Sequence, residues 1–280
     1  MITPLSRSLR SRLRADPHSR TRLAVAGLAA LASLTLVSAC TQKSPSNPQT
    51  SGKTAQQVLS EAAEKTMGQS FKYTLVYGEI LTGDGSRDAK GNATRNITIK
   101  TGANGLSIAA KLMNIAGDRV FAKLDLGPFG SAIPGLGNIG DRWLVVNTAK
   151  LNPQGLSAAL IPTADSSTVD SYVKGVVSAE TVSATEIKGT VDLTKSAPIA
   201  LPSSEVAKLT AEQRIVPFTA TLDSEGRIVK TVVNMPAIAG YPAAPLTTSY
   251  SDYGSTAITI TTPPESTSVD APEAIYLLLP

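Results

Sequence analysis

The chain has 280 residues, 42% of them hydrophobic, and sets 26 Lys and Arg against 22 Asp and Glu for a formal charge of +4. It holds one Cys and one His. That scarcity excludes a disulfide framework and any zinc site built from several such ligands.

Charge is unevenly spread. Arg7, Arg10, Arg12, Arg14, Arg20 and Arg22 face a single acid, Asp16, and residues 23–37 (LAVAGLAALASLTLV) then carry no charge. A basic head before an apolar run too short to span a bilayer as a stable helix is the pattern of a secretory signal. No two of these arginines adjoin, which favours the general export route over the twin-arginine one. The run ends Val37-Ser38-Ala39-Cys40, which resembles the bacterial lipobox. That resemblance implies a diacylglyceryl group on the Cys40 thiol and cleavage between Ala39 and Cys40. Cys40 would then hold the protein to the plasma membrane on its extracytoplasmic face, because two or more acyl chains anchor stably where one holds only marginally. Residues 1–39 are therefore read as a cleaved leader.

Losing the leader removes six of the 26 basic residues and one of the 22 acidic ones, leaving 20 against 21 and a charge of −1. A nucleic-acid partner is excluded, since phosphate binding needs a clustered positive surplus. His18 goes with the leader and the one thiol is acylated. Ser-His-Asp and Cys-His catalysis fall away with them. Neither a cofactor nor a metal is expected.

Residues 40–53 follow as an acylated Cys and a flexible tether, TQKSPSNPQTSGK, too polar to order itself. The folded body is expected over 54–265, with a tail at 266–280. Thr54 and Gln57 form a capping-box pattern. Val58, Leu59, Ala62, Ala63 and Thr66 then recur at helical spacing, and Gly68 suits the stop. Strands are predicted at 71–80, 95–101, 105–113, 118–126, 141–146, 181–193, 214–223, 227–235, 246–254 and 256–262. Residues 82–92 read as a hairpin tip, and further helices are expected near 167–178 and 202–212. Gly226 in LDSEGRI offers a positive φ between two strands. Antiparallel strands at this spacing, joined by short turns, argue for an α+β protein with a single curved sheet.

Several strands are apolar on both sides. Val216, Phe218, Ala220 and Leu222 oppose Ile215 and Pro217, and Val229 and Val233 oppose Ile228 and Val232. Such a sheet has more apolar surface than a few helices can cover. Three connections, 127–140, 155–162 and 235–246, are rich in Gly and Pro, strongly apolar and free of charge. Surface loops are usually polar, so these either plug the core or wall a binding site. Phe129, Ile133, Leu136, Leu156, Leu160, Ile161, Ile238 and Tyr241 are the candidate lining residues.

With the lipobox and tether, the phrases KGTVDLTKS (188–196), VPFTATLDSEGRIVKTVVNM (216–235) and YSDYGSTAITITTPPE (250–265) resemble the actinobacterial lipoproteins grouped around LppX, LprA, LprF and LprG. The resemblance is strongest over 181–265. It implies a LolA-like half-barrel with helices on its concave face and an apolar cavity between them. It also implies lipid or glycolipid ligands carried across the envelope, with a membrane lipid transporter as a possible partner, and no enzymatic activity.

Other constellations are weaker. Asp84 with Asp88, and Glu61 with Glu64, are paired acids, but no bidentate Glu completes a calcium loop. Trp143 reads as core more than as a stacking platform. The closing EAIYLLLP is too short to span a membrane and either docks on the body or meets a partner. Two rival functions stand beside the carrier: a non-enzymatic accessory lipoprotein whose apolar loops bind a membrane protein, and a carboxylate-only hydrolase.

Overall fold

The first helix forms where its cap places it. Thr54 Oγ1 accepts from the Gln57 amide, and the Gln57 side chain accepts from the Thr54 amide, so α1 runs Ala55–Met67. Leu59, Ala62, Ala63 and Thr66 form its buried stripe. The structure, a computed structural model, describes residues 52–101, 106–115, 119–127, 141–151, 169–196, 203–238 and 242–278. All of these belong to one compact unit, Ser46–Pro280.

The described strands are β1 Phe71–Tyr77, β2 Leu81–Arg87, β3 Ala93–Thr101, β4 Leu106–Ile115, β5 Arg119–Asp125, β6 Trp143–Val146, β7 Val176–Ser183, β8 Glu186–Asp192, β9 Ile215–Leu222, β10 Ile228–Met235, β11 Ala244–Ser251 and β12 Ser268–Asp270. Four more helices are α2 Val169–Gly175, α3 Ser203–Ala207, α4 Ala211–Arg214 and α5 Glu273–Leu278. All twelve strands join one curved, unclosed sheet in the order β12-β6-β5-β4-β3-β2-β1-β11-β10-β9-β8-β7. Every pairing is antiparallel except β12 with β6. The α+β, single-sheet expectation is met.

Alternation sorts the two faces. Phe71, Tyr73, Leu75 and Tyr77 are buried while the residues between them are exposed. The face they occupy, called inner below, also holds Ile187, Val191, Val216, Phe218, Ala220, Leu222, Val233 and Leu246. Leu59, Ala62 and Ala63 of α1 belong to the same core. Helix α1 packs on α2 and meets β7 and β10.

The turn between β9 and β10 pins one end of α1. Asp223 accepts from the amides of Glu225 and Arg227 and from the Arg227 guanidinium, and Gly226 takes φ +75°. Burial alone would raise the Asp223 pKa, but the hydrogen bonds from Arg227 and Glu225, together with the Arg227 charge, hold it below the usual range. Arg227 stacks on Tyr253 at 4.7 Å, and the Tyr253 hydroxyl donates to the Ile228 carbonyl. From the helix, Lys65 donates to the Glu225 carbonyl at 3.0 Å, and Thr66 Oγ1 accepts from the Ile228 amide at 3.0 Å.

Several elements differ from the sequence reading, each for a local reason. Residues 82–92 are not all hairpin tip, because β2 continues to Arg87 and only 88–92 turn. Its glycines hid it: a Cβ on Gly85 would lie 2.5 Å from the Tyr73 ring and 2.2 Å from the Thr94 carbonyl oxygen, so only Gly lets that ring cross the strand. The single strand expected at 181–193 is a hairpin, since α2 stops at Gly175 and the β-branched Val176 and Val177 open β7. The helix at 202–212 is broken in two, because Thr210 starts its own capping box with Gln213. In β10 a bulge between Ile228 and Lys230 puts Ile228, and not Val229, on the face of Val233.

Residues 256–262 form no strand. They run over the outer face instead, where Ile260 is buried against Met113 and Phe121. Asp88 holds them there. Its carboxylate accepts from the Ile260 amide at 3.3 Å and from the Asn92 amide and side chain at 2.9 and 2.8 Å. Trp143 packs on this same small cluster, half-buried, with Lys123 at 5.4 Å and Lys111 at 5.7 Å over its ring. The C-terminal stretch docks on the body: β12 lines the sheet edge and Ile275 of α5 enters the main core.

Candidate functional site

The inner face is built from rows of side chains that cross the strands in register. One row runs Leu246–Tyr77–Leu81–Ile99–Ile108. The next runs Ala220–Thr231–Thr248–Leu75–Gly83–Ile97–Ala110–Leu124. Small residues recur in it. Ile97 is buried, whereas Ile108, Ala110 and Leu124 are only half-buried although they sit on a wholly apolar part of the sheet.

Connectivity brings two of the uncharged connections to the same end of the sheet. Asp125, the last residue of β5, pairs with Ala109 beside Ile108, and the chain then enters 127–140. Met235 pairs with Ala244 beside Leu246, and 236–243 joins them. The Tyr77 hydroxyl donates to the Pro242 carbonyl at 3.1 Å, tying that second connection to β1.

Of the residues selected from sequence, Ile238 is the one that falls among the described residues. It is 4% exposed and packed in the main core. Cys40, Phe129, Ile133, Leu136, Leu156, Leu160, Ile161 and Tyr241 lie outside them. The strand residues Ile97, Ile99, Ala122 and Leu124 were not selected as lining. Their signal was present as period-two alternation, but alternation alone marks a core face and does not say what covers it.

Electrostatics divide the two faces. Among the described strand residues the inner face carries no carboxylate, and its charges are Arg87 and Arg95. Arg95 is 3% exposed, and its Nε donates to the Tyr73 hydroxyl at 3.2 Å, which in turn donates to the Thr94 carbonyl. Arg87 donates to the Gln69 carbonyl at 3.3 Å, at the end of α1. The opposite face has a different character. A groove of about 590 Å³ there has a mixed lining, with Glu180, Lys188, Thr190 and Asn234 beside Pro217 and Phe218.

Among the described residues no three His, Cys, Asp or Glu gather as metal ligands, and no helix is long and apolar enough to cross a membrane. The fold defines an α+β protein on one open, curved sheet with an apolar inner face. No known family model matches the chain, and no curated protein matches it.

Proposed function

We propose that the protein is a lipoprotein of the LppX, LprA, LprF and LprG type, anchored through acylated Cys40. In this reading a LolA-like half-barrel holds lipids or glycolipids against its inner face and carries them across the envelope. The observation that carries the proposal is the half-buried apolar trio Ile108, Ala110 and Leu124, set in a face whose described strand residues include no carboxylate. Burying an acyl chain yields about 0.8 kcal/mol per CH₂, so a lipid leaves its bilayer only for a comparably dry surface. The uncharged connections 127–140, 155–162 and 235–246 supply candidate walls, with Phe129, Ile133, Leu136, Leu156, Leu160, Ile161, Ile238 and Tyr241 as lining. No residue is assigned a chemical step.

Native mass spectrometry of Ser46–Pro280 purified from an actinobacterial host tests this. A co-purifying lipid mass is the expected result; a protein that is empty and takes up no added lipid refutes the carrier. One observation favours a second reading, an accessory lipoprotein that binds a membrane protein. Val177 and Val182 are 53% and 45% exposed on β7, an edge strand able to accept a partner's backbone.

A further inference from the structure

The strands that α1 and α2 cover on one side, β7–β10, hold the groove of about 590 Å³ on the other. Its volume falls within the range of small-ligand clefts, about 300–1,000 Å³. Two register rows line it. One runs Ser178–Thr190–Pro217, with Asn234 of β10 beyond it, since the neighbouring Val233 pairs with Phe218. The next runs Glu180–Lys188–Thr219. At about 4.8 Å per strand spacing, each row crosses the four strands in about 14 Å.

This lining turns away most ligand classes. Glu180 stands directly opposite Lys188, whose Nζ also meets Glu186 at 2.9 Å, so no cationic surplus is left for a phosphate. An acyl chain would strip water from a carboxylate, an amide and several hydroxyls without replacing it. Phe218 is the only ring in the lining and is buried in the core, so a flat aromatic guest has nothing to stack on. A neutral guest covered in hydroxyls fits what is left. The side chains of Glu180 and Asn234 are exposed and make no hydrogen bond to another described residue. A carboxylate accepts from two adjacent hydroxyls, and an amide both donates and accepts, which answers the paired hydroxyls of a sugar. Between them the exposed ring of Pro217 offers an apolar surface for a sugar's C–H face.

We propose that this groove binds a neutral oligosaccharide, with Glu180 and Asn234 on its hydroxyls and Pro217 beneath a sugar ring. The site lies on the face opposite the apolar one and does not depend on the carrier reading.

The test is an amide NMR titration of Ser46–Pro280 with cellotriose, maltotriose and mannotriose, set against glycerol phosphate and octanoate. At least one trisaccharide should give saturable shifts at Ser178, Glu180, Lys188, Thr190 and Thr219, and the two comparators should not. Glu180→Ala should weaken that binding about tenfold or more, the loss of hydrogen bonds to a charged group. Asn234→Ala should weaken it less. Both side chains are exposed, so melting temperatures should hold, and Glu180→Gln, which keeps an acceptor, should retain part of the affinity. No shift with any trisaccharide, shifts scattered over the sheet, or unchanged binding by Glu180→Ala overturns the site. Shifts from glycerol phosphate alone make it an anion site and overturn the proposal too. Lipid uptake is expected to be the same in Glu180→Ala as in the parent, so the glycan site and the carrier can fail separately.

Discussion

The two halves of the inner face are closed in different ways. Over β7–β10 the chain uses its own helices: α1 brings Leu59, Ala62 and Ala63 down, α2 brings Val169 and Tyr172, and Ile187, Val191 and Ala220 beneath them are at most 1% exposed. Over β4 and β5 the strand residues are just as apolar and Leu112, Val120 and Ala122 are buried too, yet Ile108, Ala110 and Leu124, at the end where the chain enters 127–140, stay half-buried. Apolar patterning is thus equal on both sides, and cover is less complete at that end of β4 and β5. In the first half packing does the work of stability; in the second, apolar surface remains for something else to cover.

Substitutions should separate the halves. Leu59→Ala removes a side chain sealed between helix and sheet and is expected to cost about 2–5 kcal/mol, read by chemical denaturation. Gly85→Ala, where a Cβ would meet the Thr94 carbonyl at 2.2 Å, should cost about 3 kcal/mol or prevent folding. Leu124→Ala, in the half-covered region, should cost only about 1 kcal/mol. Equal losses at Leu59 and Leu124 would erase the distinction between the halves. Ala110→Trp, at a half-buried position packed against the core, is expected to abolish lipid uptake at a smaller cost in stability than Gly85→Ala.

The smallest effect is a pH dependence at the turn that pins α1. Asp223 has a folded pKa below its unfolded value of about 4, so its contribution is fully present above that pH and is lost as pH falls through the folded value. Between pH 7 and pH 3 the chain should therefore lose stability that Asp223→Asn no longer loses. An identical decline in both proteins would remove Asp223 from the account.

Much of the sheet was legible in the sequence where local signals were strong. TAQQ at 54–57 gave the capped helix, and the alternation in VPFTATL and DRVFAKLDL gave β9 and β5 with their buried sides. Other elements were hidden by tertiary contacts. Gly83 and Gly85 look like turn residues, yet β2 needs Gly85 so that Tyr73 can cross. TAITITT alternates like a strand, but Asp88 captures Ile260 on the outer face before it can pair. The candidate site was less legible still. Sequence drew attention to uncharged loops, of whose chosen lining residues Ile238 alone is described, and a threonine in a strand carries no mark of whether its hydroxyl will find a partner.

The most direct test of the central claim is photocrosslinking. Ser46–Pro280 is loaded with a lipid bearing a diazirine midway along one acyl chain, and the labelled peptides are mapped by mass spectrometry. The account predicts labels at Ile108, Ala110 or Leu124, the half-buried apolar residues of β4 and β5. Labels confined to the exposed valines of β7 or to the groove lined by Glu180, Lys188 and Asn234, or no label at all, would contradict it.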